Sequence, residues 1–242
     1  MQEMDMTERS FKHAALTLKR RESLASERKK KTHSDSSEVP TQIKNPELVQ
    51  QRRRQIIDST VKLFVEHGYH KTTTRMIARA ANFSIGSLYE YVSSKEDLLY
   101  LVCKTIHEEV REAVEHALAK KSNAKGRLAE VIREYLLVCD RMSDHVLLMY
   151  QVTQFLPEKW EKRVLENELN ITSIFIDILA ELSGKGDFPE LDEKTIKLVG
   201  HNISVLGHMW AFRRWYLKDS FTIDQYTDAQ IDFILGYTFG EK

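Results

Sequence analysis

The sequence predicts an all-α protein, with a small N-terminal three-helix unit joined to a larger helical C-terminal domain. Three observations carry that expectation. Only nine Gly and four Pro occur in 242 residues, too few punctuating residues for a turn-rich β fold. From residue 46 onward apolar side chains recur at three- and four-residue spacing, the period of a helix buried on one face. The breaks between those runs carry capping chemistry, Ser, Thr, Asn and Gly, at the positions where helices begin and end.

The elements follow in order. Residues 1–44 hold the basic clusters Lys19-Arg20-Arg21 and Arg28-Lys29-Lys30-Lys31, the polar run Thr32 to Glu38, and Pro40. This composition reads as a basic extension, expected to be disordered because a thin apolar stripe around Phe11 to Leu24 cannot offset its ordering entropy. It suits either an arm lying along DNA phosphates or a solvated tail. Pro46 then opens a helix of about 20 residues carrying Ile56, Ile57, Thr60, Leu63, Phe64 and His67, which Gly68 stops. Thr72-Thr73-Thr74 offers N-cap hydroxyls to a short helix through Ile77, Ala78 and Ala81. Asn82-Phe83 breaks it, Ser84 can cap again, and Ile85 to Val92 makes a second short helix. Ser93 and Glu96, at capping-box spacing, begin a long helix to about residue 120. Further helices are expected at about 125–141, 143–155, 157–183, 192–218 and 222–239, with the largest break at Gly184 to Pro189.

Two short helices joined by a tight turn and braced by a longer one outline a helix-turn-helix, whose second helix enters the DNA major groove. The domains are therefore read as 1–44 extension, 45–96 helix-turn-helix DNA-binding domain, and 97–242 helical ligand-binding and dimerisation domain. The short side chains Ile85, Gly86 and Ser87 open the reading helix and allow close approach to base edges, and Glu90 projects beside them as a potential acceptor from a cytosine amino group. Hydroxyls on Tyr89 and Tyr91 and the ammonium of Lys95 suit phosphate oxygens, with a core aromatic as the alternative for each tyrosine and a solvated side chain for the lysine.

The stretch Thr74 to Leu99, with Ile77-Ala78, Ser84-Ile85-Gly86-Ser87-Leu88-Tyr89-Glu90-Tyr91 and Ser94-Lys95-Glu96-Asp97-Leu98, resembles the signature of TetR-family transcriptional regulators. The resemblance covers about residues 50–100. It implies that Thr74, Tyr89, Tyr91 and Lys95 hold DNA phosphates, that Ile85, Gly86 and Ser87 face bases, and that the last two helices form a four-helix dimer interface. Two departures stand out. Asn82 replaces the usual turn Gly, and Asn tolerates the left-handed conformation such a turn needs; Val92 replaces the usual Phe.

The C-terminal half carries the opposite charge balance. Residues 1–102 hold 18 basic and 13 acidic side chains, whereas residues 103–242 hold 18 and 23. Residues 194–217 carry two apolar stripes, one through Val199, Ile203, Leu206, Trp210 and Leu217, the other through Leu198, Val205, Met209, Phe212 and Tyr216. A helix apolar on two sides is covered on two sides, and a second copy of the chain is the economical cover. The expected dimer residues are accordingly Val205, Met209, Phe212, Tyr216, Phe233 and Tyr237. Candidate effector-pocket residues are Tyr135, Cys139, Met149, Tyr150, Gln154, Phe155, Trp160, Asn170, Phe175, Asn202 and Trp210, each of which also suits a core. Asn170 and Asn202 attract notice because an amide among apolar neighbours needs a partner. Arg213-Arg214 can pair with the acidic end of an amphiphile, or merely complement the helix C-terminus.

Several classes drop out. No run approaches the ~18 apolar residues of a membrane span, and no apolar leader suggests export, so a cytoplasmic location is expected. Cys103 and Cys139 sit in helical patterns and read as reduced core thiols. His201 and His208 lie seven apart, poor spacing for a metal site; neither metal nor cofactor is expected. Nucleophile-elbow, phosphate-loop and metalloprotease motifs do not occur. The reading that remains is a homodimeric repressor that binds a palindromic operator in double-stranded DNA and is released by a small, largely apolar effector. A fatty or aromatic acid, or its coenzyme A thioester, is the leading effector class. A DNA-binding architectural protein without effector and a helical-bundle enzyme are the alternatives.

Overall fold

The computed structural model describes residues 39–120, 123–185 and 188–239, and among them every regular element is helical. Of the N-terminal extension, residues 1–38, with both basic clusters, lie outside the described residues. Three helices make the first unit: α1 (Pro46–His67), α2 (Thr74–Ala80) and α3 (Ile85–Tyr89). α1 starts where expected, with the Asn45 side chain accepting from the Leu48 amide and Pro46 in the first turn, and it ends at Gly68, whose φ of 76° takes the chain out of the helix. Its inward stripe, Ile56, Ile57, Thr60, Val61 and Phe64, is buried. Thr73 caps α2 and Ser84 caps α3, each accepting from the amide three residues on. Asn82 between them takes φ 60°, the left-handed conformation expected of the turn.

α4 (Lys95–Ala119) leaves this unit and becomes the backbone of the second. Its cap differs from the expected one by one residue: Ser94, not Ser93, accepts from the Asp97 amide, and the Asp97 carboxylate accepts from the Ser93 amide. Glu96 is unavailable for that role because it accepts from the Tyr69 hydroxyl, 3.1 Å away.

Against α4 pack α5 (Ala124–Arg141), α6 (Ser143–Val152) and α7 (Glu158–Leu182), with a 3-10 turn (Thr153–Phe155) between the last two; α8 (Glu193–Leu217) packs on α7, α5 and α6, and α9 (Ile223–Phe239) on α5. α8 comes close to its neighbours at two glycines. A Cβ on Gly200 would sit 2.5 Å from Ile176 Cγ1, and one on Gly207 2.6 Å from Cys139 Sγ. These contacts seat α8 deeply against α7 and α5, so one of its stripes, Val199, Ile203 and Trp210, is buried. The other stripe, Leu198, Val205, Met209, Phe212 and Tyr216, faces solvent. Phe233 on α9 is 69% exposed, while the Tyr237 side chain lies outside the described ones. Cys103 and Cys139 are free and buried, and burial raises both thiols to a pKa of about 12. Among the described residues no helix is long and apolar enough to cross a membrane.

Candidate DNA interface and buried polar cluster

One edge of the N-terminal unit carries the expected reading residues. Ile85, Gly86, Tyr89 and Glu90 are exposed and Ser87 is half-buried, its hydroxyl accepting from Ser84 Oγ at 2.9 Å. The Thr74 and Tyr89 hydroxyls lie 3.2 Å apart, bringing α2 and α3 together on a single polar edge. One of the two hydroxyls keeps its proton for a phosphate oxygen, because only the other's proton is spent on the bond between them.

Two expected phosphate ligands are placed differently. Tyr91 is only 6% exposed, its ring edge-on to Phe83 with centroids 5.8 Å apart, and it belongs to the core of the unit. Lys95 is half-buried: its ammonium donates to the Tyr69 carbonyl and lies 4.0 Å from the centre of the Tyr69 ring. Burial lowers its pKa, against the opposing field of Glu96. An ammonium has three protons, so one bond to Tyr69 orients Lys95 without exhausting it.

In the C-terminal domain the candidate pocket residues other than Tyr150 separate into three groups. Tyr135, Cys139, Met149, Phe175 and Trp210 are buried. Tyr135 and Phe175 pack edge to face at 5.2 Å, and Trp210 donates to Asp140 at 2.7 Å, so this group fills the core rather than lining a hollow. A second group lies near the junction of the two units. Phe155 stacks on Tyr69 at 5.3 Å and meets His70 at 4.6 Å, while Trp160 donates to the buried Asp97 at 3.0 Å. The third group faces outward: Gln154, Asn170, Asn202, Arg213 and Arg214 are all exposed. The two amides therefore find water and need no ligand to satisfy them. Arg213 lies 5.4 Å from the Trp215 ring centre, and the Arg214 Nε is 3.6 Å from Asp140. A hollow of about 160 Å³ lies between α8 and α9, lined by Val199, Asn202, Val205, Leu206, Phe233 and Ile234. Of the candidate pocket residues, only Asn202 touches it.

What the residues bring together instead is a polar cluster from five helices, largely buried except at Tyr150, which is 48% exposed. His107 of α4 hydrogen-bonds Glu168 of α7 at 3.0 Å, and His208 of α8 lies 3.6 Å from the same carboxylate. His208 sits between two tyrosines, Nε2 3.1 Å from the Tyr135 hydroxyl of α5 and Nδ1 2.8 Å from the Tyr150 hydroxyl of α6. Proton counting orders these bonds. Tyr135 donates its one proton to the Ser204 carbonyl, so the bond to His208 takes its proton from Nε2, and in the neutral ring Nδ1 accepts from Tyr150. Burial keeps the His208 pKa low, opposed by the Glu168 field and assisted by His107. For Glu168 burial acts to raise the pKa, but the His107 hydrogen bond and the two imidazoles outweigh it, and the carboxyl lies below its usual value. The Nδ1 atom of His107 is buried without a hydrogen-bond partner. His201 is exposed, so it does not pair with the buried His208. Spacing along one chain could not reveal this cluster, since Glu168 and His107 are 61 residues apart.

A three-helix unit with an exposed, hydroxyl-bearing reading edge, mounted on a helical domain, defines a helix-turn-helix transcriptional regulator. Comparison with known proteins makes the class specific. Residues 56–101 match the model for bacterial regulatory proteins of the tetR family, and residues 121–237 match the tetracyclin repressor-like C-terminal domain. The chain is 30% identical over 138 residues to the fatty acid metabolism regulator protein of Bacillus subtilis strain 168, covering 56% of this chain and 70% of the relative. It is 28% identical over 197 residues to the HTH-type transcriptional regulator HbdR of Aromatoleum sp. strain CIB, covering 81% and 84%. The solved structure of AibR in complex with isovaleryl coenzyme A and operator DNA shares the fold, with a TM-score of 0.63, 18% identity, and coverage of 75% of this chain and 97% of that one. The chain belongs to the TetR family of transcriptional regulators.

Proposed function

We propose that the chain is a homodimeric, ligand-responsive repressor that works in the cytoplasm, binds a palindromic operator, and is released by an acyl effector. The observation that carries this reading is the outward apolar stripe of α8, Leu198, Val205, Met209, Phe212 and Tyr216, continued by Phe233 of α9. So large an exposed apolar surface is costly in a monomer and marks an interface, and a two-fold pairing through it presents two reading edges to two half-sites. Thr74, Tyr89 and Lys95 hold phosphates, and Ile85, Gly86, Ser87 and Glu90 face bases. For release, the effector must bind the DNA-incompetent arrangement better, since equal affinity for both shifts nothing.

The effector class follows from charge. With Glu168 ionised and His208 neutral, the buried cluster repels a free carboxylate. A coenzyme A thioester has a neutral acyl end and carries its phosphates at the other end, where the exposed guanidiniums of Arg213 and Arg214 suit them. The names of the Bacillus relative and of the AibR complex support fatty-acid and acyl thioester chemistry. Sedimentation of the protein at micromolar concentration and selection of bound DNA from a random pool test the first part. A dimer that selects a palindrome is expected, with Val205→Asp or Phe212→Asp breaking it; a monomer that binds a full palindrome tightly overturns the reading. Titration of acyl thioesters and free acids into the DNA complex tests the second, and release by free acids alone overturns the thioester.

A further inference from the structure

The reading helix is too short to hold itself in place. α3 has five residues, Ile85–Tyr89, well below the ~12 that an isolated helix needs in water, so its orientation has to come from its surroundings. The carbonyls of Glu90 and Tyr91, where the chain leaves α3, are fastened by residues 49 and 38 positions earlier in the chain. Arg53 of α1 donates to the Tyr91 carbonyl through Nε at 3.1 Å and through Nη2 at 2.8 Å. The same Nη2 donates to the Val39 carbonyl at 2.6 Å and lies 3.4 Å from that of Pro40. Residues 39–43 are thereby folded back as a strap across the end of α3. Thr41 Oγ1 donates to the Glu90 carbonyl at 2.8 Å, and the Gln42 amide donates to the same oxygen at 3.0 Å. Val39 is buried, and Ile43 packs against the core. Composition alone assigns these residues to the extension; instead they complete the DNA-binding unit.

Of the three consecutive arginines, Arg52 and Arg54 are exposed, whereas Arg53 is half-buried and turned toward main-chain carbonyls. Taking a guanidinium partly out of water is costly unless its bonds are made, and here those bonds fix where α3 ends. The angle of α3 matters most for the bases. Ile85, Gly86 and Ser87 are short and cannot reach after a base edge when the helix tilts, while the long stem of Lys95 can follow a phosphate. A recognition surface of this kind has to be held within about 0.5 Å and 10–20°. We infer that Arg53 is a positioning residue for base recognition: with the strap of residues 39–43 it sets the angle at which α3 meets the major groove. The inference rests on the reading edge proposed above and adds to it a determinant of specificity that touches no base.

The test compares full-length Arg53→Gln, Arg53→Lys and Thr41→Val with wild type, at a temperature where circular dichroism shows each to be folded. Two duplexes are used, one selected by the wild type from a random pool and one of unrelated sequence. Arg53→Gln should bind the selected duplex about tenfold more weakly, the discrimination of roughly one base contact, and the unrelated duplex as wild type does. Its slope of log affinity against log salt should not change, because no phosphate contact is lost. Arg53→Lys keeps the charge without the fork and should fall between Arg53→Gln and wild type. Thr41→Val leaves Arg53 in place and should weaken binding to the selected duplex alone by about two- to tenfold, the value of one hydrogen bond; it decides the matter should the Arg53 variants not fold. Equal losses on both duplexes, with the slope lowered by about 0.9, would make Arg53 a phosphate contact and overturn the positioning role. Folded variants that discriminate as wild type does would leave the strap a stabilising feature only, and overturn it as well. Wild-type protein that selects no sequence overturns the reading edge itself.

Discussion

The N-terminal unit and the C-terminal domain are both helical, but they place their functional chemistry differently. In the first, residues that act together are close in sequence: Thr74 meets Tyr89 and Ser84 meets Ser87, both at the ends of short, locally capped helices. In the second, His107, Glu168, His208, Tyr135 and Tyr150 come from five helices, and only packing unites them. An interface for a rigid polymer has to be exposed and stiff, and local caps provide that. Under the proposed function, a site that responds to a small molecule has to be linked to the packing of the whole domain, because only then can a ligand move other elements.

That contrast predicts a graded response to mutation. The largest loss is expected in the C-terminal core, where Phe175→Ala removes a fully buried ring and should cost about 3–5 kcal/mol in urea unfolding. Next comes the polar cluster. Glu168→Ala leaves two buried imidazoles without their carboxylate and should cost about 1–3 kcal/mol. The pH dependence has two parts. His208 has a lowered folded pKa, so the unfolded chain takes up its proton first, and stability falls as pH drops below about 6.5. His145, also lowered by burial, acts in the same direction. Glu168, lowered as well, contributes stability that is present above its unfolded pKa and lost as pH falls through the folded one, below about 4.3. His208→Gln should therefore flatten the stability profile between pH 5 and 7 while leaving the lower limb; an unchanged profile there would remove His208 from the account.

Smaller effects belong to the N-terminal unit. Asn82→Ala should cost about 1 kcal/mol in thermal unfolding, while Asn82→Gly should be nearly neutral, because φ 60° penalises a Cβ that lacks a compensating side-chain bond. The smallest change in stability is expected for Tyr89→Phe, whose ring is 44% exposed. It should leave the melting temperature in place yet weaken binding to every duplex by about three- to tenfold, the value of one hydrogen bond. A melting shift larger than the binding shift would reverse the comparison between the two regions.

Much of the fold was legible beforehand. Asn45, Gly68, Thr73 and Ser84 end or begin helices where their own side-chain or backbone chemistry requires, and the two stripes of α8 separate into a buried and an exposed face as their spacing implies. The exposure of Ile85, Gly86, Tyr89 and Glu90 along one edge was legible for the same reason. Tyr91 was not, since a tyrosine two residues after an exposed one is compatible with either face until the short helix ends and the chain turns inward. Phe155 could not be read as the partner of Tyr69, because nothing in a linear pattern measures the approach of two units 86 residues apart.

The sequence by itself determined the start and stop of α1, the caps of α2 and α3, the turn at Asn82, the outward stripe of α8 and the family, because each of these is written in residues within a few positions of one another, whereas the end of α3 at Tyr89 and the Ser94 cap of α4 differ from the sequence reading. The tertiary structure alone decided that Arg53 ties residues 39–40 to the end of α3, that Lys95 leans on Tyr69, and that Glu168 lies between His107 and His208. The physical reason is range. Caps and periodicity act over one or two helical turns, whereas the pairing of a buried charge depends on which distant helices exclude water around it.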